Sequence, residues 1–185
     1  MPILAAETSI FPDDLLEPSF AEQSGRCWWG IYTRPRQEKA LARQLLRYEV
    51  PFYLPLVEKE NLIRGRRVQT HVPLFGGYLF LLASDQERVQ CLTTNRVAQV
   101  LGVEQGEQLT DDLRSIQCLI AADAPLTVER RLTVGRRVRV KSGSMMGLEG
   151  SVIDERGRSK LIVSVRFLQQ SVAVEIDRFQ LEPLD

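Results

Sequence analysis

Val134-Gly135-Arg136-Arg137-Val138-Arg139-Val140-Lys141-Ser142-Gly143-Ser144-Met145-Met146-Gly147-Leu148-Glu149-Gly150-Ser151-Val152 opens on a strict alternation of charged and apolar residues. That period belongs to a half-buried strand. Gly143, Gly147 and Gly150 then punctuate the chain as turn glycines before a strand resumes at Ser151-Val152-Ile153. Further alternating runs occupy residues 160–167 and 171–176. Short strands joined by tight turns predict a small β-barrel over residues 134–185, a binding module without catalytic machinery. At roughly fifty residues, its core lies near the lower limit for independent folding.

Immediately upstream, residues 122–133 contain Pro125 and several charges and read as an interdomain linker. A larger domain precedes it, over residues 26–121. Cys27-Trp28-Trp29-Gly30-Ile31-Tyr32-Thr33 is rich in aromatic and β-branched residues and predicts a strand, which Pro35 stops. In the helix that follows, Ala40, Leu41, Leu45 and Tyr48 share one face. Residues 50–57 predict a second strand, placed at an edge by Pro51 and Pro55. Residues 58–72 read as a protruding hairpin around Arg64-Gly65-Arg66. Tyr78-Leu79-Phe80-Leu81-Leu82 is apolar on both faces and must be covered twice. Helices near residues 85–92 and 110–122, with a strand at 97–102 between them, complete a β-α-β-β-α-β order. Thr110-Asp111-Asp112 suits a helix start. The fold class expected is α+β: an antiparallel sheet with helices on one face, then the barrel.

Lys plus Arg and Asp plus Glu both number 24, so the neutral 185-residue chain lacks the overall basicity of many nucleic-acid binders. The charge is uneven. Residues 1–25 hold Glu7, Asp13, Asp14, Glu17 and Glu22 and no basic residue, and read as a flexible acidic extension. A short docking motif around Ile10, Phe11, Leu15 and Leu16 is the alternative there. Cys27, Cys91 and Cys118 lack metal-site or disulfide spacing, and no apolar run is long enough to span a membrane. A cytoplasmic monomer is expected.

The stretch quoted first resembles the KOW motif of NusG-type transcription factors and some ribosomal proteins. The upstream half resembles the NusG amino-terminal domain in residues 28–36 with Gln37-Glu38, in Phe52-Tyr53-Leu54-Pro55-Leu56, in Pro73-Leu74-Phe75 and in Gly77-Tyr78-Leu79-Phe80. The resemblance spans about residues 27–184 and implies a ferredoxin-like first domain and a five-stranded, SH3-like KOW barrel. Three positions depart from the family pattern: Gly76 replaces proline, Arg96 replaces glycine, and Gln169 replaces a loop glycine. These departures imply a specialised antiterminator paralogue, RfaH-like or UpxY-like.

On residue type alone, Tyr32, Phe75, Tyr78 and Phe80 suit ordinary strand core. The resemblance instead makes them a cleft for the clamp helices of the largest RNA polymerase subunit. Arg34, Arg36, Arg64, Arg66, Arg67 and Arg96 suit either a solvated face or contact with DNA phosphates. The resemblance points Arg34, Arg36 and Arg96 at the non-template strand. Phe167-Leu168 is either strand core and loop edge or, by resemblance, the grip for Rho or a ribosomal protein shared with the elongation complex. A rival reading makes the barrel an RNA- or ribosome-binding module with a basic face of Arg136, Arg137, Arg139 and Lys141. His71 has no cysteine neighbour, and Gly76-Gly77 lacks the ending of a phosphate loop. No metal, cofactor or catalytic site is expected.

Overall fold

In the computed structural model, which describes residues 7–184, the strand expected to be covered on both faces is the centre of a sheet. The first compact unit, Met1–Gly106, contains β1 (Ile10–Phe11), α1 (Phe20–Ser24), β2 (Cys27–Thr33), α2 (Glu38–Arg47) and β3 (Phe52–Tyr53). It continues through β4 (Leu56–Ile63), β5 (Arg66–Pro73), β6 (Tyr78–Ala83), α3 (Asp85–Leu92) and β7 (Val97–Gly102). Its main sheet runs β1-β3-β6-β2-β7, with every neighbouring pair antiparallel. Without β1, the order is that of a β-α-β-β-α-β ferredoxin-like unit.

Side chains alternate across a strand, so β6 feeds two interiors. Leu79, Leu81 and Ala83 join Ile31 of β2 and Leu41, Ala42 and Leu45 of α2 in one buried cluster, with Cys91 from α3. Phe80 and Leu82 face the other way, yet are also buried. The start of α3 is fixed by a capping box, in which Ser84 Oγ accepts from the Glu87 N–H while the Glu87 carboxylate accepts from the Ser84 N–H.

Two expectations for the amino-terminal side are corrected. The flexible extension, in so far as it lies within the described residues, is folded. Ile10 and Phe11 pair with Tyr53 and Phe52, Leu54 donates its N–H to Ser9 O at 2.7 Å, and Leu15 and Leu16 are buried. Glu7 adds an ion pair to Arg43 at 3.0 Å. The apolar residues read as an alternative docking motif therefore dock within the chain itself. In consequence β3, flanked by Pro51 and Pro55 and only two residues long, is not an edge strand, because β1 covers its outer side.

The second unit, Glu107–Asp185, takes in nearly all of α4 (Gly106–Ala121). This helix begins one turn before the expected Thr110 start. Leu109, Leu113 and Ile116 already form its buried stripe, and Thr110 itself is buried, so it does not serve as a cap. Next come β8 (Leu126–Glu129), β9 (Arg136–Val140), β10 (Glu149–Glu155), β11 (Arg158–Val165), β12 (Gln170–Glu175) and β13 (Leu181–Pro183). The stretch expected as a linker thus contains a strand: β8 pairs with β12 from Leu126↔Val174 to Glu129↔Ser171. The sheet has six strands in the order β13-β9-β10-β11-β12-β8, and among the described residues no pairing joins its ends. An open antiparallel sheet thus stands where five closed strands were expected.

The three glycines differ in role. Gly143 and Gly147 have positive φ, at 90° and 88°, in the turns between β9 and β10. Gly150 is not a turn residue: it lies within β10 opposite Val138, where an added Cβ would run into the Ile162 carbonyl oxygen. Among the described residues, no helix is long and apolar enough to cross a membrane.

Candidate functional site

Tyr32 and Tyr78 are cross-strand neighbours on β2 and β6, with ring centroids 5.1 Å apart and planes tilted by 51°. Tyr32 is 42% exposed and Tyr78 is half-buried. The backbone beneath them is tightly held. Thr33 donates its N–H to Gly77 O at 2.7 Å, and Gly77 donates its own N–H to the Glu38 carboxylate at 2.8 Å. Gly77 has φ +85°, and a Cβ there would come within 2.8 Å of the Tyr32 ring. Glycine at this position therefore lets the turn form and makes room for the aromatic ring.

Phe75 and Phe80, grouped with these tyrosines from sequence, are placed differently. They meet edge to face at 6.5 Å and 86° but are 2% and 0% exposed. Strand alternation does not distinguish an outward-facing surface from a second interior, and here it leads to an interior. The accessible part of the expected cleft is the tyrosine pair.

Beside the pair, three arginines gather at the end of β2. Arg34 donates its N–H to Arg96 O at 2.8 Å. The Arg96 guanidinium donates to the side-chain oxygens of Gln44, at 3.2 Å, and Gln37. Both acceptors are neutral, so its charge stays uncompensated. Arg34 and Arg36 are exposed, and among the described residues no carboxylate is ion-paired with any of the three. Arg64, Arg66 and Arg67 are separate from them, at the tip of the β4–β5 hairpin.

In the second unit, Phe167 and Leu168 lie half-buried in a 3₁₀ turn, Arg166–Leu168, between β11 and β12. The Asp112 carboxylate of α4 accepts the Arg166 N–H at 3.0 Å, and burial raises the pKa of Asp112 from its ordinary value. Gln169 closes the turn at φ 54°, the backbone region that glycine tolerates best. In the stretch with an expected basic face, two of the four cations are paired with carboxylates. Arg139 meets Glu149 at 2.6 Å and Glu182 at 3.7 Å, and Arg137 lies 3.6 Å from Glu149. Phe179, 71% exposed in the 3₁₀ turn Arg178–Gln180, was missed. An isolated aromatic among polar neighbours is the signal that would have found it. Among the described residues, no three His, Cys, Asp or Glu side chains converge to hold a metal.

Residues 26–115 match the family described as Transcription termination factor nusG. The central stretch of the chain is NusG-like. The NusG-like region contains the tyrosine pair and all three arginines beside it. A comparison with curated proteins returned no match.

Near the start of this region, Arg26 forms two hydrogen bonds of 2.8 Å to the Glu87 carboxylate, which also closes the capping box of α3. The Arg26 hydrogen bonds hold the carboxyl down at about 2, against the opposing effect of burial. A carboxylate depressed from an ordinary 4.5 contributes stability above that pH and loses it as the pH falls toward 2. Glu87→Gln is therefore expected to cost about 2 kcal/mol at pH 7, the range for a charge-assisted bond partly open to solvent. Urea unfolding at pH 7 and near pH 2 checks this: the gap from the parent protein should close at the acid end.

Proposed function

We propose that the chain is a NusG-type transcription elongation and antitermination factor, acting by binding and without catalysis or cofactor. The observation that carries this reading is the Tyr32–Tyr78 pair, Tyr32 exposed and Tyr78 half-buried, beside three arginines that lack carboxylate partners, all within the NusG-like region. An aromatic pair of this kind suits helices laid against it, as the polymerase clamp helices would be. Arg34, Arg36 and Arg96 then face the exposed non-template strand. A factor that binds one polymerase conformation more tightly than another shifts the enzyme away from pausing by that difference in affinity.

The second unit acts in this reading as a KOW domain that recruits Rho or a ribosomal protein through Phe167-Leu168. Support comes from the positive-φ glycine turns and from the 3₁₀ turn that holds this pair half out of the core. A specialised paralogue is favoured by Arg96, since glycine there could not tie its loop to Gln37 and Gln44. The rival RNA-binding reading is weakened by the acidic partners of Arg137 and Arg139. The site of action is the bacterial cytoplasm, on the transcribing enzyme.

A gel shift against a reconstituted elongation complex, with free RNA as competitor, tests the proposal. A shift that survives excess RNA is expected. No shift, or one abolished by RNA, would overturn it.

A further inference from the structure

The β4–β5 hairpin forms a two-stranded sheet of its own. Its register runs from Leu56↔Pro73 to Ile63↔Arg66, closed by Arg64 and Gly65 with φ 50° and 76°. Two positive φ values in a two-residue loop are the signature of a type I′ turn, which matches the natural strand twist and fixes the register. Directly opposed residues point to the same side, so the register sorts the side chains into two faces.

One face carries Glu58, Glu60, Leu62, Arg67, Gln69 and His71. It holds two carboxylates and one arginine, with Arg67 3.5 Å from Glu60. The other carries Lys59, Asn61, Ile63, Arg66, Val68 and Thr70, two cations and no carboxylate. There Asn61 donates to Thr70 Oγ1 at 2.9 Å, while Ile63 and Val68 are 52% and 37% exposed. The turn adds Arg64. A basic face with exposed aliphatic side chains, on a ribbon free of the main sheet, complements a phosphate-lined groove. The major groove of duplex DNA admits a two-stranded ribbon, and aliphatic side chains can pack there on thymine methyl groups.

We infer that the carboxylate-free face of this ribbon is a contact surface for duplex DNA. Arg66 and Lys59 meet phosphates, Ile63 and Val68 enter the groove, and Arg67 turns away toward Glu60. The inference does not depend on polymerase binding and is tested without polymerase.

Fluorescence anisotropy of the full chain with a labelled 30-base-pair duplex, over a salt titration, is the experiment. Lys59→Gln with Arg66→Gln removes two charges from the contact face. Arg67→Gln with Gln69→Glu removes the same net charge from the opposite face. The first pair is expected to lose about tenfold or more in affinity and to reduce the salt slope by about 1.8, since each phosphate contact contributes about 0.9. The second pair is expected to lose less than about threefold, the share owed to long-range attraction. Equal losses for the two pairs overturn the inference, as does the absence of salt-dependent duplex binding. Competition by single-stranded DNA as effective as that by duplex also overturns it. Failure of Tyr78→Ala to affect polymerase binding counts against the proposed function and leaves this inference untouched.

Discussion

Replacing Tyr32 and Tyr78 together with alanine is expected to weaken binding to an elongation complex by about 30-fold or more while the protein stays folded. Even one interface anchor of this type contributes about 2 kcal/mol, close to 30-fold at about 1.4 kcal/mol per tenfold, and the contributions of two neighbours are not simply additive. Stability should change much less. Tyr32 is 42% exposed, and an aromatic pair contributes only about 0.5–1.5 kcal/mol beyond its buried area. The glycine turn below keeps its hydrogen bonds to Thr33 and Glu38, which involve no tyrosine atoms. Circular dichroism melts report the fold and anisotropy reports binding. A folded double variant with undiminished affinity removes the tyrosines from the interface.

The buried aromatic pair should behave in the opposite way. Phe80→Ala is expected to destabilise the first unit by about 3–5 kcal/mol, the usual cost of truncating a buried phenylalanine. Phe80 is fully buried on the central strand, paired with Gly30 on one side and Tyr53 on the other, and edge-on to Phe75. Truncation leaves a cavity that two flanking strands hold open. Because a domain is stable by only about 5–15 kcal/mol, the loss should lower the urea midpoint by about 1 M or more. A Phe80→Ala variant with parent-like stability but no polymerase binding would return this residue to the interface.

The elements of the first unit were legible because their signals are local. Residues 85–92 and 97–102 form the expected helix and strand, and the hairpin closes on the expected Arg64-Gly65 turn. What failed depended on distant partners. Phe80 and Tyr78 share a strand face, and alternation treats them alike; only tertiary packing makes one fully interior and leaves the other half-buried. Leu15 and Leu16 show no helical or strand period, so in a stretch whose acidic composition suggested disorder they stood out only as an alternative docking motif and not as core of this unit. Pro125 suggested a linker, yet β8 forms because the outer side of β12 offers a strand to pair with. The site was half legible. Arg34, Arg36 and Arg96 could be named, but the oxygens that hold Arg96 come from Gln37, just before α2, and Gln44, on α2, which lie 59 and 52 residues upstream of it.

The short pairing of Ile10 and Phe11 with β3 bears on where this protein can be cut. Family likeness begins at residue 26, and a fragment started there would look like a complete domain. It would lack Leu15 and Leu16 and would leave the outer side of Phe52 and Tyr53 unpaired beside an apolar interior. Open strand edges of that kind recruit other chains. The residues from Ser9 to Leu16, which precede the matched region, close that edge, so a fragment meant to keep the first unit intact starts no later than Ser9.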